Sequence, residues 1–165
     1  MRGISEAKWG RQDTNEKRFR VKLEDLDLIT GVLRELRMAS LRGAAVVVEG
    51  EDDADALNRI GIANLFLVST EGIRRMCEEL EGKEEVIILT DFDSEGEEIN
   101  ERISEGLTSF GVRVNRELRE RFKKAFLPYS RTVEGLKDVF EYLSFSGLIF
   151  REFGVISEVK GDERD

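Results

Sequence analysis

The chain has 165 residues, enough for one ordinary domain with a sizeable core and too few for two full ones. Its single cysteine, Cys77, excludes an internal disulfide, and the absence of histidine excludes Cys/His zinc sites and histidine-based triads, so any metal chemistry must use carboxylates. The net charge of -9 is unevenly spread: residues 1–22 carry seven basic and three acidic side chains, and residues 113–131 seven and two, so an acidic body bears two basic segments.

Residues 1–21 read as a basic tail without the apolar core of a secretory signal, and no apolar run approaches the ~20 residues that span a bilayer. A soluble, cytoplasmic protein is the expectation. Trp9 and Phe19 lie among the tail's cations, placed either to stack on bases or to pack on the domain. Residues 22–42 carry the first predicted helix, with Leu26, Ile29, Leu33 and Leu36 at helical spacing and Arg42–Gly43 as its stop. The β-branched run "AAVVVEG" then reads as a buried strand. A helix with Ala54, Leu57 and Ile60 follows and stops at Gly61.

The same unit recurs. "NLFLVS" is a strand, and Ile73, Met76, Cys77 and Leu80 share one face of the next helix, which makes Cys77 a core residue. "EVIILTDFD" is a third strand, followed by a helix with Ile99, Ile103 and Leu107, and "VRVN" after Gly111 is a short fourth. Strands alternating with helices of this length predict a doubly wound α/β fold: a parallel sheet of about four strands with helices on both faces. "RELRERFKKAFLPYS" is then a basic helix ended by the only proline, Pro128, and a further helix from about Val133 to Leu143 turns Leu136, Phe140 and Leu143 inward. The division is a basic tail (1–21), an N-terminal helix (22–42), a main domain (43–128), and a C-terminal helical extension with the apolar "LIF" and "VIS" and a frayed tail (129–165).

The stretch "DFDSEGEEINER" begins like an EF-hand calcium loop. Counted from Asp91, however, the twelfth position, where calcium needs a bidentate glutamate, is Arg102, and the preceding "VIILT" is strand-like instead of helical. The position of the acids suggests another use. Ligands of open parallel sheets bind beyond the carboxyl ends of the strands; Asp91 and Asp93 lie at one such end, and Glu49 at the end of the first strand. If the two strands are neighbours, these carboxylates face one crevice. Like charges ~4 Å apart repel by about 4 kcal/mol at an effective dielectric of 20, a penalty that a divalent ion removes. Oxygen-only ligands suit Mg²⁺ or Mn²⁺. Gly50 and Gly96 beside the acids would let a phosphate backbone approach, and Ser94 with Glu97 fits a capping box at the start of the following helix.

"VVVEGEDDADAL" and, some 40 residues on, "VIILTDFDSEGEEI" together resemble the Toprim domain, the catalytic module of topoisomerases, bacterial primases and certain nucleases. The resemblance covers Ala44 to Asn115. Glu49, Gly50 and Asp53 match its first motif, Asp91, Asp93 and Gly96 its second, and Glu95 the extra acid of type IA topoisomerases. It implies a Rossmann-like Toprim fold and Mg²⁺-dependent (or Mn²⁺-dependent) phosphoryl transfer on nucleic acid. Asp91 and Asp93 would hold the metal, Glu49 would act as general acid/base or further ligand, and Glu95 would shape the metal shell. Asp53 belongs either to the site or to the favourable end of its helix.

A topoisomerase needs a tyrosine nucleophile and a strand-passing scaffold, and a primase needs further domains; neither fits in this length. The "VEGEDD" motif and the small size resemble the endonuclease that matures 5S ribosomal RNA and the small primase-like Toprim proteins. A nuclease or processing factor for structured RNA, favoured over DNA, is the leading expectation. The alternative is a non-catalytic nucleic-acid or ribonucleoprotein-binding subunit. Either would use Arg116, Arg119, Lys123, Lys124 and Arg131 against phosphates, although the four on the basic helix equally suit a solvated helix face.

Overall fold

The computed structural model describes residues 21–68 and 71–145. The basic tail with Trp9 and Phe19, and the segment from residue 146 onward with "LIF" and "VIS", lie outside the described residues. In chain order the elements are α1 (Leu26–Leu41), β1 (Ala45–Val48), α2 (Glu51–Arg59), β2 (Leu65–Leu67), α3 (Ile73–Leu80), β3 (Glu85–Ile88), α4 (Ser94–Ser109), β4 (Arg113–Val114), α5 (Arg116–Phe126) and α6 (Lys137–Phe145). Single 3-10 turns at Leu23–Asp25 and Glu134–Leu136 lead into α1 and α6.

The expected parallel sheet is present, with order β2-β1-β3-β4 and every pairing parallel. β1 and β3 are neighbours in the register Val46 to Ile87 and Val47 to Ile88. The pairing continues one residue past the end of β3, where Leu89 N donates to Val47 O at 2.7 Å. From β1 the chain crosses to β2 on one side, then returns to β3 on the other. The crevice between the carboxyl ends of β1 and β3 is therefore the topological switch point.

Because side chains alternate along a strand, each strand feeds two cores. Val46, Val48, Ile87 and Leu89 face a layer made by α1, α2, α5 and α6. Ala45, Val47, Val86 and Ile88 face α3 and α4, where Cys77 is buried as expected. The first layer is the richer one. Phe122 packs on Phe126 with the rings tilted and 4.6 Å between centroids, and Phe126 meets Phe140 edge-on at 5.6 Å. Val133, Leu136, Val139, Phe140 and Leu143 are all buried in this layer, so the described part of the C-terminal segment completes the main core.

Gly43, Gly61 and Gly111 end α1, α2 and α4 with φ of +97°, +87° and +79°, the left-handed conformation that closes a helix cheaply only at glycine. The strands are shorter than the sequence suggests. "VRVN" contributes only Arg113 and Val114, and "EVIILTDFD" leaves regular strand geometry after Ile88 to become the wall of the crevice. No helix among the described residues is long and apolar enough to cross a membrane.

Candidate metal and phosphodiester site

At the switch point the two acidic motifs meet. Glu49 Oε2 accepts a 2.7 Å hydrogen bond from the backbone N–H of Asp91, 42 residues later, so the carboxylate of one motif is fixed by the main chain of the other. Asp53, at the third position of α2, reaches back to accept from Gly50 N at 3.0 Å. Asp93 caps α4 by accepting from Gly96 N at 2.7 Å. This replaces the capping box expected from Ser94 and Glu97: Asp93 takes the cap, and Glu97 turns away to accept from Arg119 and from Lys123, the latter at 2.9 Å. Glu95 is exposed on the first turn of α4.

The two glycines differ in role. A Cβ on Gly50 would meet nothing closer than Asp53 Oδ2 at 3.9 Å, so space beside Glu49 stays open for a ligand. A Cβ on Gly96 would lie 2.0 Å from Asp91 O and 2.6 Å from Asp91 C. Gly96 is buried and its missing side chain makes room for the protein's own backbone, where the sequence suggested a phosphate. Thr90 locks the same junction by donating from Oγ1 to Gly96 O at 2.7 Å.

A second wall comes from outside both motifs. Val133 N donates to Asp91 Oδ1 at 3.1 Å, and Phe92 N donates to Arg131 O at 2.8 Å. The Glu134 backbone N–H faces Asp53 and favours its charged form. Arg131 is expected at the site for its charge, but residues 132–134 carry no mark in residue type; their one sequence signal is a place just before a helix, where backbone N–H groups are unpaired.

The electrostatics are those of crowded carboxylates. Burial, followed by the charges of Asp91, Asp53 and Asp93, pushes the Glu49 carboxyl above its usual range against the lowering effect of the Asp91 N–H. Burial and the charge of Asp91 likewise raise Asp53, against the backbone donors of Gly50 and Glu134. Among the described residues no three carboxylates stand close enough to share one ion as they lie. The donor set nevertheless fits a hard divalent cation. It is all oxygen, it is destabilised by mutual repulsion, and Glu49, Asp91 and Asp93 each have one oxygen tied to a backbone N–H. That tie orients each carboxylate.

The five basic residues expected at a nucleic-acid face differ in how far they are open to one. Arg119 is 1% exposed and points into the protein. Its burial follows from helical spacing: it lies one position from Leu118 and three from Phe122, on the inward face of α5. Arg116 pairs with Glu101 at 2.9 Å, Lys123 with Glu97, and the neighbouring Arg113 and Arg121 with Glu85 and Glu35. Lys124 and Arg131 are exposed and have no ion pair among the described residues.

The Toprim domain profile matches residues 43–117. The UPF0292 protein of Methanosarcina barkeri is 31% identical over 121 residues, covering 72% of this chain and 82% of that protein. The chain is a Toprim-domain protein of the UPF0292 family. A further UPF0292 protein, from Archaeoglobus fulgidus, is 36% identical over 89 residues, 54% of this chain and 70% of its own length. A solved structure of a protein from Aquifex aeolicus superposes with a TM-score of 0.58 at 34% identity, covering 64% of this chain and 95% of that one. The four-stranded parallel sheet is that of a Toprim fold, and membership implies a metal-dependent, nucleic-acid-related function. The Toprim match ends at residue 117, so Arg119 and the 131–134 wall lie outside the residues it covers.

Proposed function

We propose that this Toprim protein is a Mg²⁺-dependent processing enzyme, Mn²⁺ being an equivalent ion, that cuts phosphodiesters of structured RNA. The observation that carries the reading is the Glu49 to Asp91 hydrogen bond at the switch point, which brings a carboxylate from each motif to one crevice open at Gly50. Asp91 and Asp93 would hold the ion, with Glu95 on the rim. When bound, the divalent ion supplies charge stabilisation to phosphate oxygens. Glu49 stands beside these acids on a different strand, placed to carry a proton to or from a reacting oxygen. Of the five basic residues singled out, Lys124 and Arg131 are the ones free of an ion pair among the described residues and would meet the phosphate backbone.

The test is cleavage of a panel of structured RNAs and DNAs in Mg²⁺ or Mn²⁺, together with melting with and without a chelator. Cleavage that disappears in Glu49→Gln and Asp91→Asn supports the enzyme. A divalent-dependent rise in melting temperature that Asp93→Asn removes supports the metal site, since a ligand of the native state stabilises it. Binding without cleavage under any divalent condition would point instead to a non-catalytic RNA-binding subunit.

A further inference from the structure

Arg119 is the buried charge that the proposed chemistry leaves unused. From α5 its Nη1 donates to the carbonyls of Ile88 at 2.9 Å and Thr90 at 3.0 Å. Nη2 reaches Asp91 O at 3.3 Å and the Glu97 carboxylate. The guanidinium carbon lies 5.3 Å from the centroid of the Phe92 ring. Lys123 gives Glu97 a second cationic partner, and the two cations hold its carboxyl below the usual range despite burial, which acts in the opposite direction.

One side chain thus holds three of the four carbonyls between the end of β3 and Asp91, where the strand has left the sheet's regular ladder. Desolvating a guanidinium is costly, and a packed apolar side chain at the same place is often at least as stabilising. What an apolar residue cannot do is fix the direction of three carbonyls. Those carbonyls set the peptide planes through Asp91, hence the direction of the Asp91 N–H toward Glu49 and of the Asp91 side chain. The planar fork of arginine reaches several acceptors at once, which the single ammonium of lysine does not.

We propose that Arg119, braced by Glu97 and Lys123, is a positioning residue that presets Asp91 and Glu49 for the cation. The inference rests on the reading of Glu49, Asp91 and Asp93 as the metal site. It is tested with Mn²⁺ alone as the probe, by calorimetric affinity, and by amide hydrogen exchange at Asp91 and Phe92 in metal-free protein. Four variants are compared: Arg119→Met, Arg119→Lys, Glu97→Gln, and Ile103→Val as a core control in the opposite layer. We expect Arg119→Met and Glu97→Gln to weaken Mn²⁺ binding about 10-fold or more, as residues behind metal ligands commonly do, and to speed exchange at both amides. Arg119→Lys should rescue neither fully, and Ile103→Val should leave both within about 2-fold on the same scale. Wild-type affinity and wild-type exchange in Arg119→Lys and Glu97→Gln would overturn the proposal. Should Arg119→Met fail to fold, Glu97→Gln decides, its carboxylate being 34% exposed. Should the wild-type protein bind no Mn²⁺, the metal reading fails, while exchange at Asp91 and Phe92 still decides whether Arg119 sets their geometry.

Discussion

Gly96 and Gly50 each stand beside an acidic motif at the start of a helix, yet substitution should separate them sharply. Alanine at 96 drives a Cβ to 2.0 Å from Asp91 O, a backbone atom with no side-chain freedom to yield. Overpacking of this kind costs about 3 kcal/mol or more, so the melting midpoint should fall by roughly 6 to 12 °C for a chain of this size. Alanine at 50 meets open space at a φ of -146° and should melt within about 2 °C of wild type. Thermal melting of the two variants side by side checks both outcomes. Tyr129 supplies a pH dependence. Its hydroxyl donates to Asp25 and accepts from Lys22 N at 3.1 Å, and burial followed by the Asp25 carboxylate raises the phenol above its ordinary value. A raised folded pKa contributes stability that is whole below the unfolded value of about 10 and is lost as pH rises through the folded value. Wild type should therefore exceed Tyr129→Phe in denaturant midpoint at neutral pH, and the difference should shrink above pH ~10.

At the scale of elements, the C-terminal segment tests where the domain ends. Ending the chain at Pro128 removes five buried apolar side chains, Val133, Leu136, Val139, Phe140 and Leu143, from the layer that covers Phe126. At about 1.5 to 3 kcal/mol each, the loss is comparable to the whole stability of about 5 to 15 kcal/mol typical of a domain. The truncated chain should lose its cooperative thermal transition, measured by circular dichroism. A boundary at residue 128 is natural from sequence because Pro128 breaks the helical pattern. Proline stops a helix without stopping a core, and periodicity says which face of a helix is apolar but not which neighbour covers it. The order of strands and helices, and the glycine stops at 43, 61 and 111, were legible because hydrophobic period and punctuation are local properties. The pairing of Glu49 with Asp91 was legible only as a condition, that β1 and β3 be neighbours. The inward turn of Arg119 was hidden because charge dominates the reading of "RELRERFKKAF", although Leu118 and Phe122 already mark its buried side. The 131–134 wall acts through backbone groups, the Arg131 carbonyl and the N–H groups after it, which any sequence would supply.

For the molecule as a whole, the acidic body spends most of its basic helix on itself. Arg116, Arg119, Arg121 and Lys123 each meet a carboxylate, so the positive segment seen in sequence is largely neutralised in the fold. The exposed pairs of Arg116 and Arg121 contribute about 0 to 1 kcal/mol each to stability; their larger effect, with the burial of Arg119, is to leave few cations of this helix for phosphates. Lys124→Glu combined with Arg131→Glu should weaken RNA binding across sequences and flatten the logarithmic salt dependence by about 1.5, on the scale of ~0.7 to 0.9 per phosphate contact. Arg121→Ala should change that slope little. Binding titrations at several salt concentrations measure both.

The Glu49 to Asp91 bond, finally, sets an order of events in folding. Its partners are 42 residues apart, and β1 can lie beside β3 only after the intervening chain has gone out to β2 and come back. Contacts of such sequence separation form late, because loop closure must precede any gain from them. The acidic crevice is thus absent from partly folded chains, which have helices before they have two paired strand ends. A collapsed intermediate would hold Glu49 apart from Asp91 and Asp93, and a nascent chain would not join the two motifs around a divalent ion until the sheet behind them was complete.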